Sequence, residues 1–184
     1  MEPYCDWQSI INVYYPAGTA LRDILEGHSR QVAGMALDIA GRHSLNLDPQ
    51  RIVAAAMLHD IGICRTNAAG IMCFGSEPYL MHGVIGAAML REYGAPQWAA
   101  DVAERHTGAG LTRDDIIGAG FPDPGHDLCP RDTLERLICY ADKVFSKTSV
   151  GAPAKPIEGV RRSIARFGAG AAERFESLHA QFGD

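Results

Sequence analysis

Met57-Leu58-His59-Asp60-Ile61-Gly62 is the stretch on which the reading of this chain turns. A histidine and an aspartate stand side by side at the end of an apolar run, with a glycine two residues on. Upstream, Asp48 suits a helix N-cap and Pro49 the first helical position. Ile52, Val53, Ala56, Met57 and Asp60 then recur at helical spacing, so a core-facing helix is predicted from Pro49 to about Ile61-Gly62, with Gly62 ending it in the left-handed conformation. Adjacent residues on a regular helix point about 100° apart. His59 and Asp60 therefore converge on one object only near a helix end. Imidazole nitrogen and carboxylate oxygen are both ligands for divalent iron, manganese and zinc, and the two oxygens of Asp60 could bridge two ions. Alone, the dipeptide is equally a capped helix end or a surface pair.

Working outward, the same periodicity predicts helices on both sides. Residues 6–14 read as a short helix capped by Asp6, and 19–26 as a second piece. From Gly27 to His43, His28, Val32, Met35, Ala36 and Ile39 form one face. Residues 63–80 contain Gly70, Gly75 and Pro78 and read as a long connection covering the site as a lid. A helix from Tyr79 or Leu80 to Tyr93 carries His82, Ile85, Gly86, Met89 and Tyr93 on one face, and Gly94 closes it. Pro96 to His106 carries Trp98, Val102 and His106 on one stripe. Thr107 to Arg131 is rich in Gly and Pro, with a helical turn or two at 113–117. Asp132 caps a helix to about Thr148, with Leu134, Ile138, Ala141, Asp142 and Phe145 inward. A linker at 151–156 precedes a helix pair broken at Phe167-Gly168-Ala169-Gly170. Period-2 runs and internal repeats are lacking, so the expected fold is an all-α bundle.

His28, His82, His106 and Asp142 thus lie on the apolar stripes of different helices. A single buried histidine is most often a satisfied core residue. Several histidines and two aspartates in one core would cost several kcal/mol without compensation, roughly what a metal cluster supplies. His43, His126 and His179 lie in polar or loop surroundings and stay outside the set.

Composition bounds the rest. The chain has 184 residues, 47% hydrophobic and 21% charged, with 17 Lys+Arg against 22 Asp+Glu. That length suits one domain with a full core. A net charge of −5 argues against a partner that is a nucleic-acid polymer. The five cysteines include no CxxC pair and read as free thiols of a reducing cytoplasm. The acidic start, Met1 to Asp6, lacks the order of a signal peptide, and no apolar run approaches the ~20 residues of a membrane span.

His28, His59-Asp60 and Asp142 together resemble the HD superfamily of metal-dependent phosphohydrolases, and His59-Asp60-Ile61-Gly62 is the form that names its HDIG branch. Gly27-His28-Ser29, Met81-His82-Gly83 with Gly86-Ala87, Ala103 to Gly108, and Tyr140 to Lys143 are similar to the subgroup with extra histidines, which includes diadenosine tetraphosphate hydrolases. The resemblance spans about Gly27 to Thr148. It implies a single helical HD domain over 1–184, with a core at about 27–148 and a helical extension at 149–184. It also implies two divalent ions, iron first, with manganese, cobalt, zinc and magnesium as alternatives. One would lie on His28, His59, Asp60 and Asp142, the other on His82 and His106 with Asp60 shared. The implied reaction is hydrolysis of a phosphate ester or anhydride of a nucleotide-like small molecule by a metal-activated water. Asp60, Lys143 and Arg105 are the residues expected to act on the reaction directly. Arg65, Thr107 and Lys147 are further candidate substrate contacts, with Arg30 a remoter phosphate holder and Glu104 a weak candidate acid. Mixed-valence diiron oxygenases of the same superfamily, myo-inositol oxygenase and phosphonate-cleaving enzymes among them, share the ligand set and remain the alternative activity. A non-catalytic module is the third reading. Neither a membrane nor a nucleic-acid polymer is an expected partner, and self-association into a homo-oligomer stays open.

Overall fold

The computed structural model describes residues 5–183; Met1 to Tyr4 and Asp184, part of the terminus read above, lie outside the described residues. Helix α1 (Trp7–Tyr14) is capped by the Asp6 carboxylate, which accepts from the Ser9 N–H. Helix α2 runs unbroken over Ala20–Arg42, where the sequence predicted two pieces meeting at Gly27. Glycine there answers to packing: a Cβ at Gly27 would lie 2.4 Å from Val150 Cγ1. Asp48 and Pro49 start α3 (Pro49–Leu58) as expected. The chain then leaves α geometry at Asp60 (φ −101°, ψ 11°) and continues as a 3₁₀ turn, Ile61–Arg65.

The expected connection at 63–80 is folded. It holds an antiparallel two-residue ribbon, β1 (Asn67–Ala68) with β2 (Cys73–Phe74), and short 3₁₀ turns. Helices α4 (His82–Tyr93) and α5 (Gln97–Arg105) form an antiparallel pair, turned by Gly94 in the left-handed region at φ 83°. After α6 (Arg113–Gly118), whose Thr112 and Asp115 form a reciprocal capping box, Asp132 caps α7 (Thr133–Lys143). Helix α7 ends five residues short of the predicted Thr148: Val144 and Phe145 turn off the helix, and Lys147–Ser149 is a separate 3₁₀ turn. Helices α8 (Ile157–Ala165) and α9 (Ala169–Phe182) are the predicted C-terminal pair, with Gly168 at φ 100° between them. Among the described residues the only sheet is the small ribbon, so the architecture is all-α.

Two apolar clusters fill the bundle. One joins α2, α3, α7, α8 and α9 through residues such as Val32, Ile39, Ile138, Val160 and Phe175. The other joins α1, α3, α4 and α5 through Ile10, Tyr15, Met57, Ile61 and Leu90. Helix α3 contributes to both, and its C-terminal end delivers His59 and Asp60. Each fully buried aliphatic side chain contributes on the order of 2 kcal/mol. Tyr15 ties the second cluster to the turn after Asp60. Its buried hydroxyl donates to Ile61 O (2.8 Å) and accepts from the Cys64 N–H (3.2 Å). Tyr15→Phe is expected to cost about 1–2 kcal/mol, read as a fall in Tm of about 2–8 °C. An unchanged melting curve would mean that the turn does not depend on this anchor.

The linker at 151–156 is pinned to α2. Gln31 donates to Ala152 O (2.8 Å) and accepts from the Gly151 N–H (3.1 Å). Among the described residues, the five cysteines are free, and no helix is long and apolar enough to cross a membrane.

Candidate metal centre

Helix ends build the site. His59 is the cap of α3, His82 opens α4, His106 caps α5, and Asp142 is the penultimate residue of α7; His28 reaches in from the middle of α2. The short turn at Gly94-Ala95-Pro96 makes α4 and α5 antiparallel, so the start of one and the end of the other lie at the same end of the bundle. That brings His82 and His106 together although 24 residues separate them. All six side chains are buried.

Close backbone packing sets the positions. A Cβ on Gly62 would lie 2.2 Å from His82 O and 2.5 Å from Gly86 N, and one on Gly83 would lie 2.6 Å from Ala103 O. Gly62 therefore lets the 3₁₀ turn lie against α4. Its φ is not in the left-handed region, contrary to the cap expected from sequence. The geometry that lets His59 and Asp60 converge belongs to the Asp60 backbone.

Three histidines are oriented by backbone carbonyls. The Nδ1 atoms of His59, His82 and His106 bond Ala56 O (2.6 Å), Tyr79 O (2.7 Å) and Ala103 O (2.8 Å). A carbonyl only accepts, so each Nδ1 carries a proton and each ring turns its Nε2 inward, the atom that can offer a lone pair to a cation. His82 Nε2 and His106 Nε2 then face each other at 2.9 Å. Two lone pairs at that distance repel unless a proton or cation lies between them.

The donors fall into two sets that share Asp60. His28, His59, Asp60 and Asp142 form one, and Asp60, His82 and His106 the other, with ligand atoms in each set within 4.8 Å of one another. Asp60 Oδ2 lies 3.4 Å from His28 Nε2 and 3.1 Å from His59 Nε2. Its Oδ1 lies 3.3 Å from both His82 Nε2 and His106 Nε2. Asp142 Oδ1 completes the first set at 2.8 Å from His28 Nε2 and 3.4 Å from His59 Nε2. Donors about 2.1 Å from one ion stand about 3.0 Å apart at right angles and about 3.4 Å apart in a tetrahedron. His59 Nε2 and both oxygens of Asp60 are buried without a well-angled hydrogen bond. The spacing, the inward lone pairs and the orphaned atoms all fit divalent cations.

Lysines set the charge around the cluster. Lys147 Nζ is 2.7 Å from Asp60 Oδ2 and 3.9 Å from Asp142 Oδ1, and Lys143 Nζ bonds Asp142 Oδ2. Burial disfavours ionised Asp60, but His59 and Lys147 outweigh it and hold its pKa well below the carboxylate range. Asp142 is held down likewise, against burial, by Lys143 and Lys147. Burial also opposes the charged form of His59, yet Asp60 and Asp142 lift its pKa to about 9. Burial, joined by the neighbouring His59 and His82, pushes His106 down to about 3.

The cluster opens on a cavity of about 570 Å³ lined by His82, Thr107, Asp142, Lys143 and Lys147, among others. Ala68, Gly70, Ile71 and Tyr79 from the 63–80 segment form part of its wall. Other candidates stand elsewhere. Arg105 is buried in a network with Glu135 (2.7 Å) and Asp101 (3.2 Å), and does not line the cavity. Its position one residue before His106 suggested a place at the site, but Glu135 and Asp101 draw its guanidinium away from the cavity. Arg65 is exposed on the 3₁₀ turn and outside the lining, and Arg30 pairs with Glu26. Glu104 is held by Arg91 at 3.0 Å, also outside the lining.

The sequence reading passed over Tyr79 and Lys155. Tyr79 stacks on His82 with centroids 4.7 Å apart, and burial lifts its hydroxyl to about pKa 12. Its place three residues before His82, one helical turn away, was the available signal. Lys155 lines the cavity from what had been read as linker.

The HD domain family model matches residues 25–146. The tRNA (cytidine(56)-2'-O)-methyltransferase of Thermoplasma volcanium is 30% identical over 141 residues, 77% of this chain and 37% of that protein. The chain thus spans little more than a third of that relative's length, and the relative's name describes the longer protein. Among solved structures, the HD domain of the L. monocytogenes phosphodiesterase PgpH is similar with a TM-score of 0.56 at 18% identity, covering 96% of this chain and 95% of that one. The same domain in complex with cyclic-di-AMP matches with a TM-score of 0.56 at 17% identity, over 99% and 96% of the two chains. At that identity the likeness concerns the fold.

Proposed function

The chain belongs to the HD domain family, and from that premise we propose that it is a metal-dependent phosphohydrolase. It would cleave a phosphate ester or phosphoanhydride of a nucleotide-like small molecule, working as a single HD domain in the cytoplasm. The observation that carries the reading is the pair of donor sets sharing Asp60 at the floor of a lysine-lined cavity. Free cysteines accord with a reducing compartment, and the PgpH domain, which its structure shows with cyclic-di-AMP, accords with a nucleotide-like ligand.

His28, His59, Asp60 and Asp142 would hold one ion, and His82 and His106, with the other oxygen of Asp60, a second, with iron the first choice. Such ions would supply an acidified water and positive charge for the phosphoryl and leaving oxygens. The chain's own residues do the rest. The backbone carbonyls that bond Nδ1 keep three imidazoles as lone-pair donors. Lys143 and Lys147 exchange their carboxylate partners for phosphate oxygens, and the Thr107 hydroxyl adds a neutral donor at the cavity wall. Tyr79 braces His82 from its outer face. No side chain is needed as nucleophile.

The test is release of nitrophenolate from bis(p-nitrophenyl) phosphate and of phosphate from nucleotides, with manganese, iron, cobalt or magnesium, under argon and in air. Metal-dependent release under argon is expected. Strict oxygen dependence without ester cleavage would replace this proposal with a diiron oxygenase. Protein purified without chelator that holds no metal and gains no activity from added metal would overturn both. Lys143→Met is expected to raise KM about tenfold, with metal content unchanged, since one charge-assisted hydrogen bond to phosphate is lost. An unaltered KM would remove Lys143 from the site.

A further inference from the structure

The family match stops at residue 146, yet the cavity does not. Its outer wall comes from Lys147, Thr148 and Lys155 and from Val160, Ser163, Ile164 and Phe167 of the C-terminal hairpin. The wall has two kinds of surface. Beside the metal cluster, the charged groups lining the cavity are three ammonium groups, Lys143, Lys147 and Lys155, against the single carboxylate of Asp142. Asp60 lies beneath Lys147. Any divalent ion on Asp60 and Asp142 takes over the carboxylates that now balance Lys143 and Lys147. Two part-buried ammonium groups would then need anions, and the more exposed Lys155 adds a third positive charge at the cavity wall. Partial burial, with Lys143 and Lys147 nearby, pulls the Lys155 pKa down despite the attraction of Asp142. A single phosphodiester charge cannot balance that excess; a ligand with two phosphates comes closer.

Farther out the wall is apolar. Val160 and Ile164 are buried in it, while Phe167 is 62% exposed at the α8–α9 turn. A largely exposed aromatic ring at a cavity mouth offers an unused face to another flat ring. Lys155 is held between the two surfaces: its N–H donates to Val144 O (2.7 Å) and its Nζ to Phe145 O (2.9 Å).

We propose that the C-terminal hairpin and the strand of chain leading to it form a second subsite, which holds the part of the substrate that is not attacked. Lys155 binds a second phosphate there, and Phe167, backed by Ile164, stacks on an aromatic ring. The proposal rests on the phosphohydrolase reading for the word substrate, but the binding it describes is measured separately. The occupant is a small molecule with an aromatic ring and two linked phosphates.

The experiment is a fluorescence titration of the manganese-loaded full chain with N-methylanthraniloyl α,β-methylene-ADP, whose diphosphate link resists cleavage. Methylenediphosphonate, which has no ring, serves as competitor. The wild type is expected to bind both. Phe167→Ala, at an exposed position, is expected to weaken the nucleotide analogue about tenfold, and at least about fivefold more than methylenediphosphonate. Lys155→Met is expected to weaken both ligands by similar factors. Equal losses for the two ligands in Phe167→Ala, or affinity within twofold of wild type in either variant, would overturn the subsite. So would failure of the wild type to bind the nucleotide analogue at millimolar concentration. In that case metal-dependent cleavage of bis(p-nitrophenyl) phosphate would leave the hydrolase reading standing.

Discussion

Asp60→Ala is expected to empty both halves of the metal centre at once and to lower activity by a factor of about a thousand or more. The reason is the division of labour between its oxygens. Oδ2 faces His28 and His59 at 3.4 and 3.1 Å, and Oδ1 faces His82 and His106 at 3.3 Å each. No other residue belongs to both donor sets. His82→Ala should by contrast spare the first set, so metal content falls by about half rather than to zero. The measurement is metal per chain by mass spectrometry after desalting, paired with a melting curve. Asp60→Ala also leaves the Lys147 ammonium without its 2.7 Å partner, so Asp60→Asn, which keeps the shape, is the companion variant. Two retained metals and full activity in folded Asp60→Ala protein would refute the bridging assignment.

Gly62→Ala is expected to destabilise the protein by about 3 kcal/mol or more, a Tm fall of about 6–12 °C. The added methyl would meet backbone on every side: His82 O at 2.2 Å, Gly86 N at 2.5 Å and Gly86 Cα at 2.9 Å. No side-chain rotamer change relieves such contacts, so α4 must move away from the turn at Ile61–Arg65. Because α4 begins with His82, weakened metal binding in the second set should accompany the lost stability. Gly34→Ala is the control. It lies within α2 and a Cβ there would meet nothing within 4 Å, so the change is expected to be neutral or to stabilise by up to about 1 kcal/mol. Equal melting temperatures for the two variants would show that the turn and α4 are not in the tight contact described.

Much of this was legible in the chain itself. Asp6, Asp48 and Asp132 announce helix starts because a carboxylate one residue before a helix satisfies free N–H groups. Gly94 announces an end because it alone enters the left-handed region without strain. His28, His82, His106 and Asp142 could be grouped with His59-Asp60 because each interrupts an apolar stripe, where an uncompensated polar group is costly. Their sharing of one centre depends on α3, which packs into both apolar clusters and carries His59 and Asp60 to where the two meet.

What the sequence could not decide depends on distances between segments remote along the chain. Periodicity marks the inward face of a helix but not the backbone it meets, so Gly62 reads as a helix stop when it is a close contact with α4. The early end of α7 at Lys143 frees the following turn to swing Lys147 onto Asp60, which no local pattern encodes. Arg105 and Lys143 each adjoin a ligand in sequence, yet one is drawn to Glu135 and the other faces the cavity. Residues 151–156 read as a linker before a C-terminal helix pair, a natural place for substrate or partner contacts, but only the fold lays residues 155–167 along the cavity. By itself the sequence determined most of the helices and the chemical identity of the candidate metal donors, because capping, burial cost and ligand type are properties of single residues and their near neighbours. Only the tertiary structure decided how Asp60 divides its oxygens and which lysines and aromatic rings line the cavity, because those depend on backbone packing and charge pairing between elements far apart in the chain.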